Sequence, residues 1–503
     1  MPCGTLSRAV GGLDVADIDT KALISTGIEG LDTLLGGGIP ARQILVVTGD
    51  PGTGKTTLAS QVAFSYAARG EHVVIATIVS EPHDKLLAEL RGFEFFDPEL
   101  IGQEIYLLSA YAALQKGPRE TRELLVQGMR DRRAKLFILD GFRAVRDVWH
   151  YEAKLRDFLY ELNVGLAQLD AIGILTTEYP LPRLLELPEA TTVDGIVALS
   201  GYRVGSRLVR RAEVAKLRGR PHLTGEHLLR ITAEGIHIVP RLEEVTAPDV
   251  DFEPPRTRAA FGLPELDEIL RGGLPRQSTT LLAGSTGTGK TLLGLQFAAA
   301  GARMDEVAIH INYAEPRQRL IVRAQGIGLD VQPLVDAGTL HLHYRSFARL
   351  EADDLVAEIL DLSRRHRAQR LIIDGLGELE QAIVDRDRIR PLLSSLINEL
   401  RDLGVTAIFL KEVPRLGTQE LDLSDTPISV IAENVLFLRH VELGGRLHRV
   451  ASVLKMRESG HDSYVRELEI TERGIRVLGA LESAEGLPTG VVRMVPARAD
   501  ERR

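Results

Sequence analysis

Two glycine-rich segments have the residue types and spacing of phosphate-binding loops. Residues 49–56 read GDPGTGKT and residues 284–291 read GSTGTGKT, so both fit the pattern GxxxxGK(S/T). In that pattern, backbone N–H groups and the positive end of the following helix bind phosphate oxygens. Lys55 and Lys290 are expected to reach the β- and γ-phosphates of ATP. The predicted ATP-binding residues are Gly49, Asp50, Pro51, Gly52, Thr53, Gly54, Lys55, Thr56 and Thr57 in the first loop, and Gly284, Ser285, Thr286, Gly287, Thr288, Gly289, Lys290, Thr291 and Leu292 in the second.

An acid follows an apolar run at the same place in each half of the chain. Asp140 ends the run KLFILD and Asp374 ends RLIID, and the two acids follow Lys55 and Lys290 at almost equal distances along the chain. An aspartate at a strand end can simply form a turn, but the repeated spacing favours a role at the nucleotide. Asp140 and Asp374 are therefore predicted to hold Mg²⁺ together with the loop hydroxyls of Thr56 and Thr291.

A glutamate followed by proline comes after the second strand of each half. Glu81 and Glu315 are expected at the carboxyl ends of parallel strands, where ligands bind. There each could orient the water that attacks the γ-phosphate. The alternative is that each acid only stabilises a helix dipole.

The composition is that of an ordinary globular protein. The chain has 503 residues, a formal charge of −9 and a single cysteine, Cys3. These values exclude an intrachain disulfide and a cysteine zinc cluster, and they argue against a protein that coats nucleic acid. No apolar run is long enough for a membrane span and no targeting segment is apparent, so a cytoplasmic protein is expected.

The phosphate loops belong to an internal duplication. Leu31 and Leu266, Pro40 and Pro275, and the two loop lysines are all separated by one constant offset. The predicted domains are residues 1–247 and 248–480, followed by a flexible tail over 481–503. In each half, apolar strands such as QILVVTG (43–49) alternate with helices. This predicts an α/β fold of two tandem domains, each a mostly parallel sheet with helices on both faces, with added antiparallel strands near the end of each half.

The whole set of motifs resembles a double-domain KaiC-type ATPase of the RecA-like superfamily. The resemblance spans about residues 22–480 and includes TGIEGLDTLLGGGIP before the first loop, KLRGRPHLTGEH (216–227) and KMRESGHD (455–462). It implies a homohexameric ring with Mg-ATP between subunits and a KxRxxxH segment that reaches the neighbouring subunit's phosphates. The residues predicted to act in trans are Lys216, Leu217, Arg218 and His222 in one ring, and Lys455, Met456, Arg457 and His461 in the other.

The resemblance also raises the hypothesis of a serine/threonine autokinase that serves as a signalling or timing switch, with a KaiB-like or signalling protein as partner. Ser429 aligns with the serine that KaiC phosphorylates, but Val430 replaces the adjacent threonine. Ser80 and Ala314 stand where KaiC has the first of two glutamates, so one acid remains at each site. Ser429 could instead be a hydroxyl at a subunit contact.

Other interpretations stay open. The chain could be a recombination or repair ATPase that acts on DNA, although its basic runs lack the interleaved aromatic residues of a base-stacking surface. It could also be an assembly module that binds ATP without hydrolysing it. His341 and His343 share one face of a predicted strand, and without a third ligand nearby in sequence a structural role is preferred over metal binding.

Overall fold

A computed structural model describes residues 23–78, 83–246, 253, 255–346, 351–413, 428, 431–443, 445–457, 465–480, 484–485 and 493–494. The chain divides into two compact units, residues 1–240 and 241–503. The predicted domain limit between residues 247 and 248 lies outside the described residues and stays a prediction. Within the part of the chain described, no helix combines the length and the apolar character needed to cross a bilayer.

The described part of the first unit has eleven strands, and nine of them form one sheet. Its strands are β1 (Leu23–Ile24), β2 (Ile39–Pro40), β3 (Ile44–Gly49), β4 (Val73–Thr77), β5 (Ile105–Ser109), β6 (Leu136–Asp140), β7 (Ile172–Thr177), β8 (Gly195–Val204), β9 (Arg207–Leu217), β10 (His227–Thr232) and β11 (Gly235–Val239). Its helices are α1 (Glu29–Leu34), α2 (Lys55–Ala67), α3 (His83–Leu90), α4 (Tyr111–Lys116), α5 (Pro118–Arg132), α6 (Arg143–Val148), α7 (Glu152–Gln168), α8 (Leu181–Leu185) and α9 (Pro188–Thr192).

The strand order of this sheet is β5-β4-β6-β7-β3-β8-β9-β10-β11. The first six strands pair in parallel. The last three are added antiparallel, as a meander. Strands β1 and β2 form a separate antiparallel pair.

The second unit repeats the architecture. Its strands are β12 (Arg258–Ala259), β13 (Leu274–Pro275), β14 (Thr279–Gly284), β15 (Ala308–Asn312), β16 (Leu340–Tyr344), β17 (Arg370–Asp374), β18 (Thr406–Glu412), β19 (Asn434–Leu443), β20 (Arg446–Met456), β21 (Arg466–Thr471), β22 (Gly474–Ala480), β23 (Ala484–Glu485) and β24 (Arg493–Met494). Its helices are α10 (Leu242–Val245), α11 (Pro264–Ile269), α12 (Lys290–Ala302), α13 (Arg317–Gln325), α14 (Gln332–Asp336), α15 (Ala352–His366), α16 (Leu376–Ala382) and α17 (Ile389–Asp402).

The large sheet of the second unit runs β16-β15-β17-β18-β14-β19-β20-β21-β22, which is the strand order of the first unit. The predicted α/β fold, with two mostly parallel sheets and antiparallel strands added near the end of each half, is therefore confirmed. The first strand of each meander, β9 or β20, leads directly into the segment predicted to act in trans.

The central strands of each sheet are mostly apolar and are buried on both faces. In β3, Leu45 and Val47 pack into the core on the face of α2, while Ile44 and Val46 pack against α7 and its neighbours on the other face. This accounts for continuous apolar runs in place of the alternation of a half-exposed strand. Helices cover both faces of each sheet, and the carboxyl ends of the parallel strands lie along one edge of it.

Candidate nucleotide-binding sites

The first phosphate loop lies between β3 and α2, and its glycines are required by the backbone. Gly54, immediately before α2, has a φ of 105°, which is in the left-handed region. A Cβ atom on Gly54 would lie 2.8 Å from Cδ1 of Ile231, and one on Gly49 would lie 2.0 Å from the carbonyl oxygen of Leu199. A side chain at Gly49 would clash with the backbone of β8, and one at Gly54 would be strained by the left-handed φ. The loop therefore packs closely against β8 and β10.

Lys55 is held in the loop as a buried cation. Its ammonium donates a hydrogen bond to the carbonyl oxygen of Asp50 at 3.0 Å. Burial lowers the pKa of Lys55, and the charges of Glu178, Asp140 and Asp50 oppose this effect. Because burial disfavours its positive charge, Lys55 gains from an anionic ligand such as a phosphate group.

Oxygen atoms from three elements meet beside Lys55. The hydroxyl of Thr56 donates a hydrogen bond to the carboxylate of Asp140. The hydroxyl oxygen lies 3.2 Å from one carboxylate oxygen of Asp140 and 3.3 Å from the other. Thr176, at the end of β7, also donates its hydroxyl proton to Asp140. A hydroxyl and a carboxylate are ligands that suit Mg²⁺, either directly or through its waters. Thr56 and Asp140 thus fit the predicted metal role.

A cavity of about 430 Å³ opens over this loop. That volume is within the range of small-molecule sites. Its lining residues come from the loop, α2, α3 and the ends of β4, β6 and β7: Pro51, Gly52, Gly54, Lys55, Thr56, Thr57, Thr77, His83, Leu86, Glu89, Asp140, Gly141, Thr176 and Glu178. His83 Nε2 lies 3.1 Å from the Thr77 hydroxyl. The sequence motifs did not assign His83, Thr176 or Glu178 to the site.

The second loop has the same geometry between β14 and α12. Gly289 has a φ of 97°, and a Cβ there would lie 2.4 Å from Cδ1 of Ile470. Lys290 donates hydrogen bonds to the carbonyl oxygens of Gly284 and Ser285, each at 2.9 Å. Burial lowers its pKa, opposed by the charges of Glu412 and Asp374.

Asp374 is the acid of the second site, and its surroundings differ from those of Asp140. Burial raises the pKa of Asp374, while a hydrogen bond from Thr291 and the charge of Lys290 act in the opposite direction. The fully buried His310 lies behind it, with Nε2 3.9 Å from Asp374 Oδ2. Burial lowers the pKa of His310 to about 4. His310 is therefore neutral near neutral pH and adds no charge to the site.

Glu315 lies directly after β15, at the strand edge where the sequence predicted it. The side chain of Asn312 accepts the backbone N–H of Glu315 at 3.0 Å. The Glu315 carboxylate accepts a hydrogen bond from Arg323 at 2.7 Å. Its charge raises the pKa of Asp374, after the larger effect of burial, so the two acids are electrostatic neighbours. The corresponding Glu81 lies outside the described residues.

The segments predicted to act in trans are bound to their own chain. Lys216 donates to the carbonyl oxygens of Ala190 at 2.7 Å and Val193 at 2.6 Å, and Arg218 donates to that of Thr191 at 2.6 Å. These carbonyl oxygens lie at the carboxyl end of α9, where the helix dipole favours a positive charge. Burial lowers the pKa of Lys216, and the adjacent charge of Arg218 lowers it further.

The second unit repeats this contact. Lys455 donates to the carbonyl oxygen of Ala432 at 2.7 Å, with the same separation in sequence that joins Lys216 to Val193. The flanking Leu217 and Met456 are buried, and His222 is half-buried. Two further predicted site residues, His461 and Ser429, lie outside the described residues.

A comparison with protein families gives a match to each half of the chain. The family model described as "ATPase: KaiC" matches residues 24–243 and again residues 259–482. The two matches coincide with the two sheets and contain both phosphate loops. Together they cover most of the chain.

Whole-length relatives give the same result. The chain is 29% identical over 492 residues to "Circadian clock oscillator protein KaiC 1" of Synechocystis sp., an alignment that covers 94% of this chain and 93% of that protein. It is 27% identical over 485 residues to "Circadian clock protein KaiC3" of the same organism, covering 93% and 94%. It is 29% identical over 486 residues to "Circadian clock oscillator protein KaiC" of Thermosynechococcus vestitus, covering 93% and 91%.

Proposed function

The chain belongs to the KaiC family of ATPases, and on this premise we propose that both of its units bind Mg-ATP and hydrolyse it within a homohexameric ring. The observation that carries the proposal is the convergence, in each unit, of a loop lysine whose pKa is lowered by burial, a loop hydroxyl and a strand-end carboxylate. In the first unit these are Lys55, Thr56 and Asp140. In the second they are Lys290, Thr291 and Asp374.

The chemistry proposed for these residues is electrostatic. Phosphoryl transfer gains little from covalent help and depends on positioning and on balancing the charge that develops on the phosphate oxygens. Lys55 and Lys290 supply fixed positive charge from within the subunit. Mg²⁺ held by the threonine and aspartate of each site neutralises phosphate charge when bound.

Glu315 is proposed to orient the attacking water in the second unit. It lies after β15, close enough to Asp374 for the two charges to interact, and its carboxylate is fixed by Arg323. A positioned carboxylate can accept the proton of the water as the bond to phosphorus forms. Glu81 is proposed for the same task in the first unit because it occupies the same place in the duplicated sequence.

The trans-acting role is proposed for the cationic pairs Lys216 with Arg218 and Lys455 with Arg457. Two neighbouring cations lie at the start of each segment, where the arginine charge lowers the pKa of the lysine after the larger effect of burial. The phosphates of a nucleotide on the adjacent subunit would relieve this repulsion. We propose a ring because, with this contact, each nucleotide site is completed by residues of the adjacent subunit.

The relatives with whole-length similarity are named as circadian clock proteins. We extend the proposal accordingly to a slow conformational switch used in timing or signalling, acting through a protein partner and with serine autophosphorylation in the second unit. Ser429 is the proposed phosphorylation site.

Phosphate release from ATP by the full chain tests the ATPase proposal. Lys55→Ala and Lys290→Ala are each expected to remove the activity of one unit, and the double variant to remove nearly all of it. Lys116→Ala, an exposed lysine on α4, is the matched control. A double variant as active as the unmodified chain would contradict the proposal.

Two further measurements separate the finer proposals. Intact mass after incubation with Mg-ATP should show an added phosphate that Ser429→Ala abolishes, and no added phosphate would rule out the autokinase. Hydrolysis stimulated strongly by DNA would favour a repair or recombination ATPase instead.

A further inference from the structure

Three histidines of the second unit form a cluster that the nucleotide sites do not use. His341 and His343 lie on the edge strand β16, and His366 is the last residue of helix α15. One ring nitrogen from each histidine can be chosen so that all three lie within 4.8 Å of one another. The rings of His341 and His366 are in contact, with centroids 3.8 Å apart. The sequence favoured a structural role because it offered no third ligand, and the fold supplies one.

The fold produces this cluster by two independent rules. Alternation along a strand places His341 and His343 on the same face, because successive side chains point to opposite sides. Helix α15 ends at His366, where Arg367 takes the left-handed conformation with a φ of 52° and stops the helix. The last turn of the helix thereby comes to lie over the edge strand.

The hydrogen bonding of the cluster leaves a ligand atom available. Nε2 of His343 is buried and has no hydrogen-bond partner among the residues that the structure describes. The backbone of Gly338 lies close enough to the His341 ring to oppose, as a hydrogen-bond partner, the effect of burial on the pKa of His341.

The charges around the cluster are compatible with a divalent cation. Burial lowers the pKa of His341 and of His343, with a further contribution from the charge of His366. Neutral imidazole is the form that binds metal. Arg317 and Arg345 add positive charge nearby, and the negative charge of Glu358 acts against them. Arg345 is paired to both carboxylate oxygens of Glu358 at 2.9 and 2.7 Å.

We propose that His341, His343 and His366 form a binding site for a divalent transition metal, with Zn²⁺ as the fitting ion. Three imidazole ligands and one water complete a tetrahedral zinc site, with Zn–N distances of about 2.0–2.1 Å. Imidazole ligands select Zn²⁺, Cu²⁺ or Ni²⁺ over Mg²⁺, which prefers oxygen. The site is therefore chemically distinct from the Mg²⁺ positions at the phosphate loops.

The site belongs to the second unit alone. The strand register and the matching helix ends place Tyr106, Leu108 and Arg132 at the positions of the first unit that correspond to His341, His343 and His366. There, the guanidinium of Arg132 lies 4.2 Å from the ring centroid of Tyr106. A cation–π contact joins helix to edge strand in the first unit, and a metal ion would join them in the second.

Zinc binding to the full chain, measured without an affinity tag and with millimolar Mg²⁺ to occupy the oxygen sites, tests the proposal. Competition with a chromophoric zinc chelator should give one Zn²⁺ per chain. Co²⁺ should show the visible absorption bands of a tetrahedral nitrogen site. His366→Gln and His343→Ala should each weaken Zn²⁺ binding at least tenfold and abolish the Co²⁺ bands.

His448→Gln is the matched control, because His448 in the same unit is paired with Glu467 at 2.7 Å. It should bind Zn²⁺ as the unmodified chain does. Zn²⁺ should also raise the thermal unfolding midpoint of the unmodified chain by several degrees and leave that of His366→Gln unchanged. His366→Gln keeps the test valid if His343→Ala does not fold, since His366 lies at a helix end. A chain that binds no Zn²⁺ in the presence of Mg²⁺, or a folded variant that binds it as tightly as the unmodified chain, would overturn the proposal.

Discussion

Thr176 donates a hydrogen bond to Asp140, whereas the corresponding residue of the second unit is the apolar Leu410. The correspondence follows from the strand register, because Thr176 is opposite Val47 and Leu410 is opposite Leu282, which is the matching position of the duplicated sequence. The two phosphate loops are nearly identical in sequence, yet the acids beside them are held differently. Asp140 has a second hydroxyl partner and Asp374 has the buried His310 nearby.

The first prediction concerns Thr176. Thr176→Leu should weaken Mg-ATP binding by the first unit about tenfold, because a hydrogen bond to a charged group contributes roughly 1.5 kcal/mol. Fluorescent nucleotide binding against Mg²⁺ concentration measures the change, in a chain whose second site is disabled by Lys290→Ala. The control is Thr177→Val, since the buried hydroxyl of Thr177 has no hydrogen-bond partner among the described residues. Equal effects of the two substitutions would show that Thr176 does not position Asp140.

The difference between Thr176 and Leu410 shows what the sequence could predict of the site. The loop residues and Asp140 follow from a motif and from a spacing repeated in the second half. Thr176 belongs to a strand that is neighbour to β6 only through the sheet order, which local patterns do not determine. The same is true of His366, which is distant from His343 in sequence and beside it in space.

The fold itself was predictable because the apolar runs, the loop glycines and the internal repeat all indicate the same architecture. The runs that form β9 and β20 predicted added antiparallel strands, but the strands with which they pair, β8 and β19, could not be assigned from these runs alone. The basic residues of β9 and β20 are accommodated because these strands lie outside the parallel core. Lys216 and Lys455 donate hydrogen bonds to carbonyl oxygens of their own chain, and no sequence pattern identifies these acceptors.

A second prediction concerns the buried Arg370 at the start of β17. Arg370 is fully buried and bonded to Glu306 at 2.6 Å and to the carbonyl oxygens of Ala260 and Phe297 at 2.6 and 2.9 Å. Arg370→Leu should lower the free energy of unfolding of the second unit by about 3–5 kcal/mol, because it removes one of the two guanidinium groups that pair with the buried Glu306 carboxylate and leaves only Arg276. Denaturant unfolding of the full chain measures this.

The first unit indicates how that loss could be reversed. Leu136 begins β6 at the position that Arg370 occupies in β17, so an apolar residue is compatible with the fold. Arg370→Leu combined with Glu306→Leu should therefore recover most of the stability. Arg365→Leu, at an exposed arginine of α15, should change it by less than about 1 kcal/mol. A double variant no more stable than Arg370→Leu would mean that packing, and not the lost ion pair, causes the loss.

A third prediction concerns acid stability. Burial alone would raise the pKa of Glu306, but hydrogen bonds from Arg276 and Arg370 outweigh it and hold the pKa below its usual value. A carboxylate whose pKa is lowered in the folded state contributes stability above its unfolded pKa, and this contribution is lost as the pH falls towards the folded value. The second unit should lose stability below about pH 4.5, where a free glutamate titrates. Glu306→Gln should unfold with a smaller pH dependence in that range, and an unchanged pH dependence would assign the effect to other groups.

A fourth prediction concerns the proposed water-orienting acid. Glu315→Gln should slow ATP hydrolysis by the second unit at least about a hundredfold with little change in ATP affinity, because the amide cannot accept a proton. The measurement uses the Lys55→Ala background, so that only the second unit hydrolyses. Arg323→Ala should have a smaller effect, since Glu315 keeps its carboxylate. Glu265→Gln, an exposed acid of α11, is the control, and a fall in binding equal to the fall in rate would instead assign Glu315 to nucleotide binding.

The last prediction tests whether the cationic segments act between subunits. One variant, Lys55→Ala with Lys290→Ala, keeps the segments and lacks the loop lysines. The other, Arg218→Ala with Arg457→Ala, keeps the loops and lacks the segment arginines. Each variant alone should be nearly inactive if both parts are needed at every site.

In randomly mixed rings, half of the subunits carry an intact loop and half of those face an intact segment, so about one quarter of the unmodified activity should return. A site completed within one subunit gains nothing from mixing. Activity that stays at the level of the separate variants, in rings shown by native mass measurement to be mixed, would therefore place Arg218 and Arg457 at the sites of their own chain.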